Sequence, residues 1–194
     1  MKLTLALGLV VALALPAAGQ APSLTGSLLV ASESMGDPRF HRAVIYMVRH
    51  DATGALGVMV NRPVLGVPAA DLLKDLGRDP AGVAGTVKIH YGGPVEPLKG
   101  FVLHSSEWTG PQSHAVTEGI SITTATGILD AIAHGTGPRR ALLALGYAGW
   151  SAGQLEGELA ADVWIVVPAD EAIVFDDDAA SKWDRAMARR KIRL

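Results

Sequence analysis

The apolar positions of the first half of the chain come in short unbroken runs rather than at helical spacing. Gly26–Ser32 (GSLLVAS), Ala43–Val48 (AVIYMV) and Ala55–Val60 (ALGVMV) are each too short for a stable helix and are bounded by turn-forming residues, so they predict strands. The second and third runs flank the Gly-bearing loop His50–Gly54 and predict a hairpin, which Asn61-Arg62-Pro63 ends. The pattern then changes. Pro68–Leu76 places Leu72, Leu73 and Leu76 at helical spacing before Gly77, a helix with its stop signal. Further short strands are expected at Thr86–Tyr91, Phe101–Ser105 and Ile120–Thr124. After them come a helix over Ala125–His134, a strand over Arg140–Tyr147, a helix over Ala152–Ala161 and a strand over Val163–Val167. Asp178–Arg193 reads as a closing helix, with Trp183 and Met187 one turn apart. Strands precede helices, and the two alternate only near the end. This order favours an α+β fold with a mixed sheet in a single compact domain over a doubly wound parallel sheet.

The start of the chain has a different character. Met1-Lys2 is followed by the uncharged run Leu3–Leu15 and then by Pro16-Ala17-Ala18-Gly19, the three-part build of a secretory signal peptide, with too short an apolar run to span a bilayer comfortably. The expected division is a signal peptide over 1–19 and a single domain over 20–194. No membrane span remains after cleavage, and the destination is the periplasm or the medium. An uncleaved anchor or a misassigned start, leaving a cytoplasmic protein, is the alternative.

Composition narrows the chemistry. With 49% hydrophobic residues the 194-residue chain has ample material for a core, and 22 Gly with 11 Pro favour many turns. A formal net charge of -2 offers no broad positive field, so direct nucleic-acid binding is not supported. With no Cys, disulfides, thiol nucleophiles and Cys-centred zinc sites are excluded.

Gly149-Trp150-Ser151-Ala152-Gly153 fits the G-x-S-x-G nucleophile pattern between a predicted strand and a predicted helix. A serine hydroxyl needs a base, and in the hydrolases that use this motif the His follows the Ser. Here the last of the six His is His134. The plainer expectation is a tight strand-to-helix turn with Ser151 as the helix cap. A hydrolase using Ser151, with His90 or His104 brought near by folding, remains the enzymatic alternative. His90 and His104 could also meet across the sheet and bind a metal with Glu107. No metal or cofactor is expected, because no ligand pair has diagnostic spacing. Asp176-Asp177-Asp178 lacks the alternation of a calcium loop and reads as a solvated helix start. Glu156 and Glu158 fall on different sides of their helix. The Arg185, Arg189, Arg190, Lys191 and Arg193 cluster reads as a solvated helix end. Gly92-Gly93-Pro94 matches no phosphate-binding fingerprint and reads as a turn.

Three ordered segments carry more information together than any one motif. Gly26–Pro63, Gly92–His104 (GGPVEPLKGFVLH) and Leu145–Glu158 (LGYAGWSAGQLEGE), followed by Trp164 and Pro168-Ala169-Asp170, resemble the YqgE/AlgH family of bacterial proteins from about residue 24 to 187. The resemblance implies an α+β fold with strongly coiled, bifurcated sheets and a few short flanking helices. It implies no accepted enzymatic activity and supplies no catalytic residues to carry over, and one branch of the family is linked to regulation of alginate production. Two departures stand out: family members look cytoplasmic, whereas this chain opens with an export signal, and its tail ends Arg-Arg-Lys-Ile-Arg-Leu. The leading expectation is a non-enzymatic binding or regulatory protein of the cell envelope, with an unknown protein or small-molecule partner. A cytoplasmic regulator of gene expression is the reading if the export signal fails. Candidate ligand-binding positions, chosen as polar or aromatic groups at strand ends and turns, are Asn61, Arg62, Gly92, Gly93, Tyr147, Trp150, Ser151 and Gln154. A weaker idea places an anion at the helix start near Gly149–Gln154.

Overall fold

The computed structural model describes residues 22–190; the expected signal peptide and the last four residues lie outside them. The strands are β1 (Ser27–Ala31), β2 (Val44–Asp51), β3 (Gly54–Met59), β4 (Pro63–Pro68), β5 (Thr86–Tyr91), β6 (Val95–Ser105), β7 (Ser113–Ala115), β8 (Ile120–Thr123), β9 (Ala141–Ser151) and β10 (Trp164–Pro168). The helices are α1 (Ala69–Asp75), α2 (Gly127–Ala133), α3 (Gln154–Ala160), α4 (Glu171–Phe175) and α5 (Lys182–Met187). The strands join in the order β10-β1-β2-β3-β9-β6-β8-β7, with the β4–β5 hairpin branching from β9. Every pairing is antiparallel except β5 with β9, so the sheet is mixed. Among the described residues no helix is long and apolar enough to cross a membrane.

The unbroken apolar runs have a packing cause: both faces of the central strands are buried. Leu28, Val30, Val44, Tyr46, Val58, Val60, Phe101, Leu103, Leu142 and Val167 converge in one core with Trp183 of α5 and Ile173 of α4. One face of strands from both ends of the sheet can meet in a single cluster only if the sheet curls around it, giving a half-barrel. The alternate residues Leu29, Ala31, Ile45, Met47, Met59, Ala148 and Trp150 form a second core under Leu155 of α3. Such strands read as continuous hydrophobic runs instead of alternating ones. A third, smaller core joins Val102 and Leu143 to Ile128 and Leu129 of α2.

The β2–β3 hairpin forms as expected, but several boundaries move. Asn61-Arg62-Pro63 follows the end of β3 as expected, but an unexpected strand, β4, begins at Pro63. Its prolines explain why it is hard to see. The Ala69 N–H to Gly85 O bond sets the phase of the β4–β5 ladder. In that phase the backbone nitrogen of Pro68 faces the open edge, where a missing donor costs the ladder nothing and blunts pairing with other chains. Of the closing helix expected over Asp178–Arg193, the described residues form only the short α5, and α4, which precedes the three aspartates, has no counterpart among the predicted elements. Arg185 pairs with Asp176 at 2.5 Å and Arg189 pairs with Asp170, so these two of the five cluster residues are ion-paired at the surface of the fold, while Lys191 and Arg193 lie outside the described residues. The aspartates do not form the start of α5, whose N-cap is Ser181; Asp178 holds the turn before it, accepting the Ser181 N–H at 3.3 Å.

Candidate functional site

Strand β9 runs farther than its sequence suggests and ends in Gly149-Trp150-Ser151, paired with Leu56, Ala55 and Gly54 of β3. Ser151 is therefore a strand residue, not a helix cap. The N-cap of α3 is Gly153, at φ +76°, and Ser151 contributes only its backbone N–H, which donates to Gln154 Oε1 at 3.1 Å. That bond occupies the turn expected to attract an anion, and α3 is a single short helix of seven residues.

Alternation along β9 sends Tyr147, Gly149 and Ser151 to one face and Ala148 and Trp150 to the other. Leu56 lies across from Gly149, Arg49 across from Leu56, and Val95 across from Tyr147. Together they line a cleft of about 290 Å³ at one end of the half-barrel's inner face. Gly149 is its floor: a Cβ there would meet Tyr147 Cε2 at 3.0 Å and Val95 Cγ2 at 3.8 Å. Tyr147 is held edge-on by Phe101, with ring centroids 5.7 Å apart. Arg49 is fixed by Asp51 at 2.7 Å and Thr53 at 2.8 Å. Hydrogen bonds from Thr53, then from Arg49, hold the Asp51 carboxyl down to about 2. The exposed Ser151 Oγ makes no hydrogen bond to a His, Asp or Glu among the described residues, so the motif serine has no activating base.

On the opposite face the same segment is pinned by Glu158. Its carboxylate accepts the indole N–H of Trp150 at 2.8 Å, that of Trp164 at 2.7 Å and the Gln154 amide at 2.9 Å. Glu156 instead reaches His50 Nε2 at 2.9 Å, so the two glutamates do face different sides. The Leu24 N–H can only donate, so His50 Nδ1 is its acceptor and Nε2 carries the proton given to Glu156. Trp150 is buried, with 7% exposure, and belongs to the support rather than to an open surface.

The other candidate positions have structural roles. Asn61 extends the β2–β3 ladder, its Oδ1 accepting the Val44 N–H and its Nδ2 donating to Arg42 O, both at 2.9 Å. Arg62 donates to His41 O. Gly92 bridges β3 and β9: Met59 N–H donates to Gly92 O at 2.9 Å, and Gly92 N–H donates to Leu145 O at 2.8 Å. Gly93, at φ +152°, passes so close to the Tyr147 backbone that any Cβ would overlap it. This pair is a close backbone crossing and not a simple turn. His90 and His104 do not meet. His90 approaches Leu143 O at 3.3 Å, whereas His104 is held by Ser105 O and Ser113, and Glu107 binds Ser105 and Arg139. Among the described residues no group of three or more metal-ligating side chains forms.

Residues 28–194 match the family model described as AlgH-like. The chain belongs to the AlgH-like family. This AlgH-like chain is 45% identical over 166 residues to a UPF0301 protein of Rhodospirillum rubrum, covering 86% of each chain. It is 45% identical over 168 residues to one of Caulobacter vibrioides, again covering 86% of each. Its fold is similar to the solution structure of the AlgH protein from Pseudomonas aeruginosa, with a TM-score of 0.74 and 39% identity over 86% of this chain and 88% of that one. A Corynebacterium diphtheriae protein at 19% identity and a TM-score of 0.70 shares the fold. Of the AlgH-like cleft, the sequence pointed to Tyr147 and Ser151, and to Gly149 through its motif, but not to Arg49, Leu56 or Val95; Trp150 faces the other side. Strand pairing brings those three together, and no local pattern marks them.

Proposed function

We propose that this AlgH-like chain is a binding protein of the cell envelope, which holds a segment or small group of its partner in the β9 cleft without covalent chemistry at Ser151. The observation that carries the reading is the cleft itself: a glycine floor keeps it open, while Tyr147, Leu56 and Val95 offer apolar contact beside the Ser151 and Tyr147 hydroxyls. Apolar walls with a few placed polar groups are the usual make-up of a recognition site. The unactivated Ser151 supports binding over hydrolysis at this place. The envelope address rests on the Met1–Gly19 sequence.

The test is affinity capture from envelope extract with the wild type and with Gly149→Val. A β-branched residue suits a strand and fills the cleft by displacing the Tyr147 ring, which lies 3.0 Å from the added Cβ; an unchanged urea midpoint shows that the variant keeps the fold. A partner retained by the wild type and lost with Gly149→Val supports the reading; identical captures overturn it. Intact mass of the periplasmic species tests the address, which falls if only full-length cytoplasmic protein is found.

A further inference from the structure

The histidine that the sequence offered to Ser151 is placed on a different serine. His104 is completely buried on β6, with Nδ1 3.0 Å from Ser105 O and Nε2 3.1 Å from Ser113 Oγ on β7. A carbonyl oxygen can only accept, so in the neutral ring Nδ1 carries the proton. Nε2 is then a free lone pair, and the Ser113 hydroxyl donates to it. This tautomer is the one a general base needs.

Several features hold the pair in place. The Ser105 hydroxyl donates to Glu107 Oε1 at 2.8 Å, and Ser105 N–H donates to Arg140 O at 3.0 Å, so the carbonyl that orients the imidazole is itself fixed. Trp108 stands edge-on to the ring at 5.3 Å and packs against one side of it. Gln112, immediately before Ser113, has φ +57°, a conformation non-glycine residues seldom adopt. Its carbonyl is tied to Thr123 Oγ1 at 2.8 Å. Ser113 itself is half-buried on a strand with no neighbour on its outer edge among the described residues, so its hydroxyl is reachable and Nε2 is approached only along that hydroxyl. A strained residue beside a nucleophile whose base is oriented by a third group is the arrangement of an activated serine.

We propose that Ser113 is a nucleophile activated by His104, reactive toward activated acyl compounds such as aryl esters and acyl phosphates. As the Ser113 Oγ–C bond forms, the hydroxyl proton passes to His104 Nε2. The bond from the acyl carbon to the leaving oxygen breaks, and that oxygen takes the proton, leaving a Ser113 ester. Water then attacks the ester carbon and gives its proton to Nε2, from which Ser113 recovers it as the carboxylic acid departs. The Ser113 N–H is engaged by Gly110 O at 3.2 Å, so it is not free to hold the developing oxyanion. A missing donor of that kind costs roughly 10²–10³ in rate. Substrates with good leaving groups react, and amides do not. Nothing in this site touches the β9 cleft, so either can fail without the other.

The test uses the exported chain with p-nitrophenyl acetate and a fluorophosphonate probe, followed by peptide mapping. Adduct on Ser113, abolished by Ser113→Ala and unchanged by Ser151→Ala, is the expected result; no adduct on Ser113 overturns the proposal. A second measurement does not depend on turnover. The chain has no Cys, so Ser113→Cys and Ser151→Cys each carry a single thiol. An imidazole partner lowers a thiol pKa well below its free value of about 8.5. Iodoacetamide at pH 6 is then expected to modify Ser113→Cys at least about tenfold faster than Ser151→Cys. Equal or slower modification contradicts activation by His104.

Discussion

Lys182 is completely buried in α5, and its ammonium donates to Val60 O at 2.9 Å and Val174 O at 2.8 Å. Burial pushes its pKa down from 10.5 to about 8, against the pull of Asp176. The folded protein therefore binds this proton less tightly than the unfolded chain does. Below pH 8 both states are protonated, and folding carries the full cost of burying the charge. As pH rises from 8 toward 10.5 the folded form releases its proton first, and stability increases. A tenfold difference in proton affinity between the folded and unfolded chain corresponds to about 1.4 kcal/mol, so the full cost is on the order of 3 kcal/mol. Integrated between pH 7 and 9.5, the recovery is about 2 kcal/mol. Lys182→Met removes the charge but leaves two buried carbonyls unpaired, at about 1–3 kcal/mol each. These opposing effects make the change at one pH uninformative. The pH dependence of the difference is decisive, because every other titrating group cancels. Urea unfolding of both proteins at pH 7, 8, 9 and 9.5 is expected to show the wild type gaining about 2 kcal/mol on Lys182→Met across the range. A constant difference, or one that shrinks with pH, would show that the lysine is hydrated and refute the reasoning.

Three further outcomes follow from the same contacts. Glu158→Ala leaves two buried indole N–H groups without their acceptor and should cost about 2–4 kcal/mol, with a red shift of tryptophan emission as Trp150 and Trp164 loosen; an unchanged urea midpoint would count against the pinning role. Gly93→Ala forces a Cβ into the Tyr147 backbone and should cost more than about 3 kcal/mol, whereas Gly153→Ala, also at positive φ but in open space, should cost about 1–2 kcal/mol. Similar losses at the two positions would refute the close-crossing argument. Glu107 is held at about 2, first by the Arg139 backbone N–H and then by Ser105, so its stabilisation is present above the unfolded pKa near 4.5 and lost as pH falls toward 2. Glu107→Gln should therefore narrow its deficit relative to the wild type as acid unfolding is followed from pH 5 to 2.5; a deficit that does not change would remove the ion from the account.

The parts of the fold carried by local pattern were legible: the β2–β3 hairpin, the Leu-rich α1 and the apolar strands that are buried on both faces. What escaped was set by partners distant in sequence. β4 hides behind prolines that are harmless only because they face an open edge. Gly149-Trp150-Ser151 has the composition of a turn, and becomes strand because β3 pairs with it. The cleft depends on register across β2, β3, β9 and β6, so Arg49 and Val95 carry no local sign of belonging together. Ser113 and His104 lie nine residues apart through a Gly- and Pro-bearing loop, and meet only because β8 lies between β6 and β7. The G-x-S-x-G pattern marks Ser151 for its glycines, whereas the geometry of a base falls on another serine.

The proposed function puts the partner in the β9 cleft. A photo-crosslinking side chain placed at Leu56 in the native host, with the same group at Val166 on the far edge of the sheet as control, tests this most directly. One defined adduct from Leu56, absent from Val166 and abolished by Gly149→Val, is the expected result. Adducts of equal yield at both positions, or a Leu56 adduct that survives filling of the cleft, would contradict it.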